Sequence, residues 1–325
     1  MALLVAAGRC EDAASAESRE VSFESAGFRL AGTLTVPVGQ PRASAILIIP
    51  GSGPVDRNGL STAAPSMPPV YRMWAEQLSN SGFAVLRYDK RFLTYPGIDM
   101  RSFDQEAQIT DAVSAVTFLR SAPGIDPARI FIFGHSEGGT LAPIVAERAG
   151  PIAGVAVVNT VAFPVDELIV AQLQANPTVP RNSVAEVQLL LAKIKDGSFP
   201  SGGLLMGVGS GYWSQWINYS RDSLKTLSRL SAPLLLIQCM SDETLPGETL
   251  KRNLEALRAV TVQNRRAQLR ELDAHDHFGM APGKREPSPE FMRALLLWLN
   301  GNEPAAQQGA PHGRAASGEP ASSGR

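Results

Sequence analysis

The chain has 325 residues, 44% hydrophobic and 19% charged, the balance of an ordinary globular protein with room for two average domains or one large α/β domain carrying an insertion. Its 30 basic and 31 acidic residues leave a formal charge of −1, which argues against nucleic acid or an anionic membrane as the main partner. Two cysteines, Cys10 and Cys239, cannot build a disulfide framework, and no apolar run is long enough to cross a bilayer.

Residues 1–19 read as a disordered leader. Met1 to Ala7 is apolar and Ala14-Ser15-Ala16 has the small residues of a cleavage site, but no positive region precedes the run, which is short for a signal. A cytoplasmic location is the expectation, with export as the alternative if the start cuts off a longer signal. Val21 to Phe23 and Phe28 to Val36 alternate apolar and polar residues around Gly27, the pattern of a half-buried hairpin. Ala45 to Ile49 is continuously apolar, as a strand buried on both faces should be, and it runs into Pro50-Gly51-Ser52-Gly53-Pro54.

Tyr71, Trp74, Ala75 and Leu78 mark one face of a helix that ends near Gly82. Phe83 to Tyr88 is a second buried strand, ending at Asp89-Lys90-Arg91. Ile109, Ala112, Val116 and Leu119 give a helical stripe over 104–119, and Pro123 to Pro127 reads as a turn before a strand over 129–133. Further strands are expected at 152–158, 233–240 and 267–272, with helices over 248–257 and 290–299. Strands alternating with helices at this spacing predict a mostly parallel, doubly wound α/β sheet, formed by residues 20–160 and 228–301.

Residues 161–227 interrupt the alternation. Ser183-x-x-Glu186 has the form of a capping box opening an amphipathic helix with Val184, Val187, Leu191 and Ile194 on one face, ended at Gly197. A helical insertion on the ligand side of the sheet predicts a cap. Residues 302–325 are rich in Gly, Pro, Ala and Ser without apolar period and read as a disordered tail.

The chemistry starts at Gly134-His135-Ser136-Glu137-Gly138. A strand, a Gly-x-Ser-x-Gly turn and a helix form the context of a nucleophile elbow, which makes Ser136 the candidate nucleophile. Gly134 and Gly138 are expected where a Cβ would collide with neighbouring backbone. A serine hydroxyl needs a base. Of the four histidines, His135 reads as packing and His312 lies in the tail; His277 is preferred over His275, both just past the last strand. A His-x-His metal pair would need further ligands, and no matching cluster exists. Asp242, after the 233–240 strand, is the expected orienting carboxylate, with Glu243 as the alternative. Ser136, Asp242 and His277 follow the Ser…Asp…His chain order of α/β-hydrolases. For the oxyanion, the backbone N–H groups of Glu137 and Ser52 are the candidates, with Gly53 the alternative to Ser52.

With Gly51-Ser52-Gly53-Pro54-x-Asp56-Arg57-Asn58, Arg87-Tyr88-Asp89-Lys90-Arg91 and Gly134-His135-Ser136-Glu137-Gly138-Gly139, the chain resembles a bacterial branch of the α/β-hydrolase superfamily. These are serine esterases close to prolyl-oligopeptidase-like and acyl-thioesterase-like hydrolases. The resemblance runs from Val21 to Leu299 and implies an eight-stranded sheet, a helical cap and ester hydrolysis without a cofactor. It departs at Phe92 and Cys239, where the family pattern has glycine. Asp56, Arg57, Asp89 and Arg91 read as a loop-bracing ion-pair network, with Arg57 as a substrate-carboxylate holder the alternative.

The aromatic cluster Trp213, Trp216 and Tyr219 in the cap is either lid packing or the lining of an apolar acyl pocket. The expected partner is a small-molecule ester, with no metal and no transmembrane segment. A thioesterase, acyltransferase or aminopeptidase is the enzyme alternative; a silent hydrolase-fold binding protein is the rival of another class.

Overall fold

The computed structural model describes residues 16–62 and 64–302. Residues 1–15 of the expected leader and 303–325 of the expected tail lie outside the described residues. Residues 16–19, expected in the leader, instead open strand β1 (Ala16–Ser25), which pairs along its whole length with β2 (Phe28–Pro37). β3 (Ala43–Ile49), β4 (Ala84–Tyr88), β5 (Ile125–His135), β6 (Gly154–Val158), β7 (Leu234–Cys239) and β8 (Ala267–Leu272) complete one eight-stranded sheet in the order β1-β2-β4-β3-β5-β6-β7-β8. β1 and β2 run antiparallel to their neighbours; from β4 to β8 all pairing is parallel.

β3 shows why the apolar run is continuous. Ala45, Leu47 and Ile49 enter the core on one face of the sheet and Ile46 and Ile48 the core on the other, as a period of two requires. The first face is covered by α3 (Gln105–Ser121), α4 (Glu137–Ala149) and α9 (Glu248–Gln263). The second is covered by α1 (Val70–Asn80) and α10 (Pro289–Gly301), where Trp74 stacks between Phe133 and Phe291 at ring distances of 4.9 and 5.6 Å. A short α2 (Arg91–Thr94) follows β4.

β5 starts at Ile125, inside the expected turn. Its pairing with β3 slips between Ala43 and Ala45, and this irregularity accommodates Pro127, which has no N–H for a regular ladder. Between β6 and β7 lie α5 (Val165–Ala175), α6 (Arg181–Asp196), α7 (Ser210–Arg221) and α8 (Ser223–Arg229). The Ser183/Glu186 pattern is not a helix start: α6 begins two residues earlier, after Pro180, with no side-chain cap. Its fixed φ of −62° leads the chain into the helix. Gly197 ends α6 in the left-handed region as expected. A third apolar cluster, including Phe103, Val161, Trp213, Trp216 and Leu245, joins these helices to the loops at the carboxyl ends of the strands.

After β4 the chain returns past β3 to β5, so the winding of the sheet reverses there. The connections leave β3 and β5 in opposite directions along the sheet, and such a switch point is where open α/β sheets form a ligand crevice. Ser52 follows the first strand and Ser136 the second.

Candidate active site

Ser136 sits between β5 and α4 with φ 55° and ψ −119°, a conformation that costs a non-glycine residue about 1–3 kcal/mol. Its neighbours hold it there. The Ser136 N–H donates to Val158 O at 2.9 Å, and its carbonyl accepts from Gly139 N at 2.9 Å and Thr160 Oγ1 at 3.1 Å. The flanking glycines are steric necessities: a Cβ on Gly134 would lie 2.4 Å from Gly138 O, and one on Gly138 would lie 2.2 Å from Ile49 O. Any side chain at either position would push α4 off the sheet.

His277 lies in the loop after β8. Its Nδ1 is 2.9 and 3.0 Å from the two carboxylate oxygens of Asp242, in the loop after β7. An ionised carboxylate only accepts, so Nδ1–H donates and Nε2 is left as the lone-pair nitrogen. Thr244 braces the pair, its N–H and Oγ1 donating to Asp242 Oδ1 at 2.9 and 2.7 Å. Burial alone would raise the Asp242 pKa. The charge of His277 and the bonds from His277 and Thr244 outweigh it and hold the carboxyl below its ordinary value.

Ser136 and His277 line one cavity of about 360 Å³ together with Ser52, Gly53 and Glu137. His275 is elsewhere. Its Nδ1 donates to Asp273 O and its Nε2 meets Ser288 Oγ, both at 2.6 Å, which ties the loop to the start of α10. Glu243 is exposed, while Asp242 is buried.

His135 does more than pack. The Gly51 N–H donates to Tyr71 Oη at 2.8 Å, and the Tyr71 hydroxyl then donates to His135 Nδ1 at 3.0 Å. That leaves His135 Nε2–H to donate to the His277 carbonyl at 3.0 Å, which Asn159 Nδ2 also reaches at 2.8 Å. The chain of bonds connects the glycine loop to the backbone of His277. Burial, then the charge of His277, lowers the His135 pKa to about 3, so the ring stays neutral.

On the other side of the glycine loop, Lys90 Nζ donates to Gly51 O at 2.6 Å, Gly53 O at 3.3 Å and Glu137 Oε2 at 3.3 Å. The Glu137 carboxylate also accepts from Gln105 Nε2 at 2.6 Å, Gln108 Nε2 at 3.4 Å and the Tyr212 hydroxyl of α7. Both candidate oxyanion segments and one inserted helix thus meet at one buried carboxylate. Nothing local in the sequence marks Lys90, Gln105 or Tyr212 for this; Lys90 stands inside Arg87-Tyr88-Asp89-Lys90-Arg91 but between residues expected to form ion pairs.

Of that expected network, Arg57 pairs with Asp89 at 3.5 Å and Glu20 at 2.8 Å. Asp56 accepts from the N–H groups of Asn58 and Leu60. Arg91 departs from it, turning to Asp111 of α3, with Ser25 on the same carboxylate. Arg57 does not line the cavity.

Trp216 lines the cavity, and Trp213 lines a second space beside it. Tyr219 lines neither. Its hydroxyl donates to Glu106 of α3, where Arg148 also binds. Steps of three residues advance a helix by 300°, so the face drifts 60° backward each time and Tyr219 ends 120° from Trp213. Cys239 is buried beside Asn159, its thiol pKa pushed up to about 12 by burial.

No protein-family model matches the chain. It is similar to esterase EstD of Thermotoga maritima, 31% identical over 210 residues, which make up 64% of this chain and 48% of that protein. It is also similar to thiohydrolase aneE of Aspergillus aculeatus, 42% identical over 69 residues, 21% of this chain and 22% of that protein. The chain thus matches about half the length of the first relative and about a fifth of the second. Among solved structures, α/β hydrolase GrgF from Penicillium sp. sh18 superposes with a TM-score of 0.60 at 16% identity, covering 88% of this chain and 99% of that one. The chain has the α/β-hydrolase fold.

Proposed function

We propose that this α/β-hydrolase cleaves carboxylic esters through an acyl-enzyme intermediate. The observation that carries the reading is the His277–Asp242 pair, whose histidine lines one cavity with a serine on a strained strand-to-helix turn. Ser136 Oγ attacks the ester carbonyl while His277 Nε2 takes its proton. Asp242 holds the ring in the tautomer that leaves Nε2 free and stabilises the imidazolium. The N–H groups of Ser52 and Glu137 receive the developing oxyanion, each such donor being worth about 10²–10³ in rate. His277 then protonates the leaving alkoxide, and a water activated by the same nitrogen releases the acid. The helices between β6 and β7 serve as a cap over this site.

Ester cleavage is favoured over aminopeptidase action by the charge of the cavity. Among the described residues, its one lining carboxylate is Glu137, which is already occupied by Lys90, Gln105, Gln108 and Tyr212. A substrate ammonium group would find no counter-ion there. Thioester cleavage uses the same groups and is the second reading, supported by the short match to the thiohydrolase.

The test is a fluorophosphonate probe on wild type and Ser136→Ala, beside paired oxygen esters and thioesters of one acyl group. Labelling and ester turnover are expected in the wild type alone. Labelling that survives in Ser136→Ala would remove Ser136 from the mechanism; thioester turnover far above ester turnover would favour the second reading.

A further inference from the structure

The catalytic cavity has a larger neighbour. A second chamber of about 600 Å³ borders the same Ser52-Gly53-Pro54 segment and shares Ile169 and Trp216 with the first. Its remaining wall comes from the segment after β4 and from the inserted helices and their connecting loop: Phe92, Ile98, Met100, Phe103, Val208 and Trp213. Phe92 is the residue that stands where related sequences are expected to have glycine, and it brings a ring into this wall. Phe92, Ile98, Met100 and Val208 are only half-buried, and Met206 at the margin is 51% exposed. Apolar surface is thus gathered in one concavity that the protein itself leaves unfilled.

The charged and amide groups in the wall are already used, and one neutral donor, the buried Trp216 indole N–H, has no hydrogen-bond partner. Lys90 has three N–H protons, and Gly51 O, Gly53 O and Glu137 take all three. The Gln108 amide donates to Gln105 and Glu137, the Tyr212 hydroxyl to Glu137, and Trp213 Nε1 to Leu205 O. A charged group entering here would lose its water and find no free counter-ion, only the single neutral donor of Trp216.

We propose that this chamber binds a bulky, uncharged hydrocarbon group of the ester, alicyclic, aryl or long-chain, while the cavity at Ser136 holds the smaller part. The assignment rests on the ester-hydrolase reading and adds the substrate class to it. Two methionines in or beside the wall, Met100 and Met206, give it an adaptable shape, so size and apolarity rather than one outline decide what enters.

The test uses two ester series on the full chain. One varies the acyl group of an aryl ester from acetate to decanoate and cyclohexanecarboxylate; the other varies the alcohol of an acetate ester over the same sizes. In one series kcat/KM should rise roughly fourfold per added methylene until the chamber is full, and that series identifies the side of the ester that occupies it. Val208→Trp, with Ile98→Phe as a milder second variant, should lower the ratio of large-ester to acetate kcat/KM by at least about tenfold. Profiles that stay flat or fall in both series, a ratio unmoved in both variants, or preference for an acyl chain ending in a carboxylate would overturn the assignment. Binding of neutral N-phenyl-1-naphthylamine separates the two readings: fluorescence enhancement lost in Val208→Trp supports the chamber even if no ester is turned over. Absence of enhancement in the wild type refutes it even if acetate esters are cleaved.

Discussion

The ammonium of Lys90 lies 2.6 Å from the carbonyl oxygen of Gly51. In a trans peptide the C=O and the following N–H point in opposite directions. Gripping Gly51 O therefore aims the Ser52 N–H away from Lys90, and the further bond to Gly53 O fixes the next turn of the loop. Lys90 is a positioning residue for the proposed oxyanion site. Removing it alone would leave the Glu137 carboxylate buried without its cation, a loss of about 3–5 kcal/mol in comparable pairs. The double variant Lys90→Met/Glu137→Gln avoids that. Its kcat should fall at least about tenfold, with KM changed far less, because the loss is confined to the transition state. A raised KM with kcat intact would assign Lys90 to substrate binding instead.

Asp242→Asn should keep the fold and lose activity by a factor of about 10⁴. The amide can donate to His277 Nδ1, which favours the tautomer with its proton on Nε2, the nitrogen needed as a base. Steady-state kinetics with circular dichroism checks this. Activity within tenfold of the wild type would mean that the carboxylate does not orient the base.

The two histidines of the last loop should separate by readout. His277→Ala should abolish acyl transfer, and it also costs stability, because the buried Asp242 carboxylate loses its imidazole partner. His275→Ala should keep most activity and lose about 1–3 kcal/mol of stability, because Ser288 Oγ loses its buried imidazole partner. The opposite pattern of activities would move the base role to His275.

His135 should make stability depend on pH. Its folded pKa is about 3 against an ordinary value of 6.5. Between these values the unfolded chain binds a proton that the folded chain does not. The contribution is therefore fully present above pH 6.5 and is lost as pH falls toward 3, by up to about 1.4 kcal/mol per pH unit. His135→Gln keeps a donor and an acceptor but cannot titrate, so its unfolding free energy should fall less steeply from pH 7 to pH 5. Equal slopes for the two proteins would mean that the ring is protonated in the folded state.

Local patterns in the chain were enough for the fold and for naming part of the candidate site. A strand buried on both faces must be continuously apolar, so β3 and β7 could be read directly. The strand–turn–helix context around Ser136 needs glycines on either side whatever the rest of the molecule does. Chain order then picked out Asp242 and His277, because loops at the carboxyl ends of parallel strands converge on one edge of the sheet. Elsewhere sequence spacing does not measure distance. Lys90, Gly51 and Glu137 lie 39 and 47 residues apart along the chain and meet only because β4, β3 and β5 end side by side. Tyr219 looked like a companion of Trp213 and Trp216, but helix rotation carried it to Glu106. His135 looked like packing because nothing next to it in sequence reveals the Tyr71 hydroxyl and the His277 carbonyl that bracket its ring. The sequence by itself determined which groups could do chemistry, since that follows from residue type and local backbone. Only the tertiary structure decided which groups hold them in place, because buried polar atoms must find partners wherever the packed chain brings them.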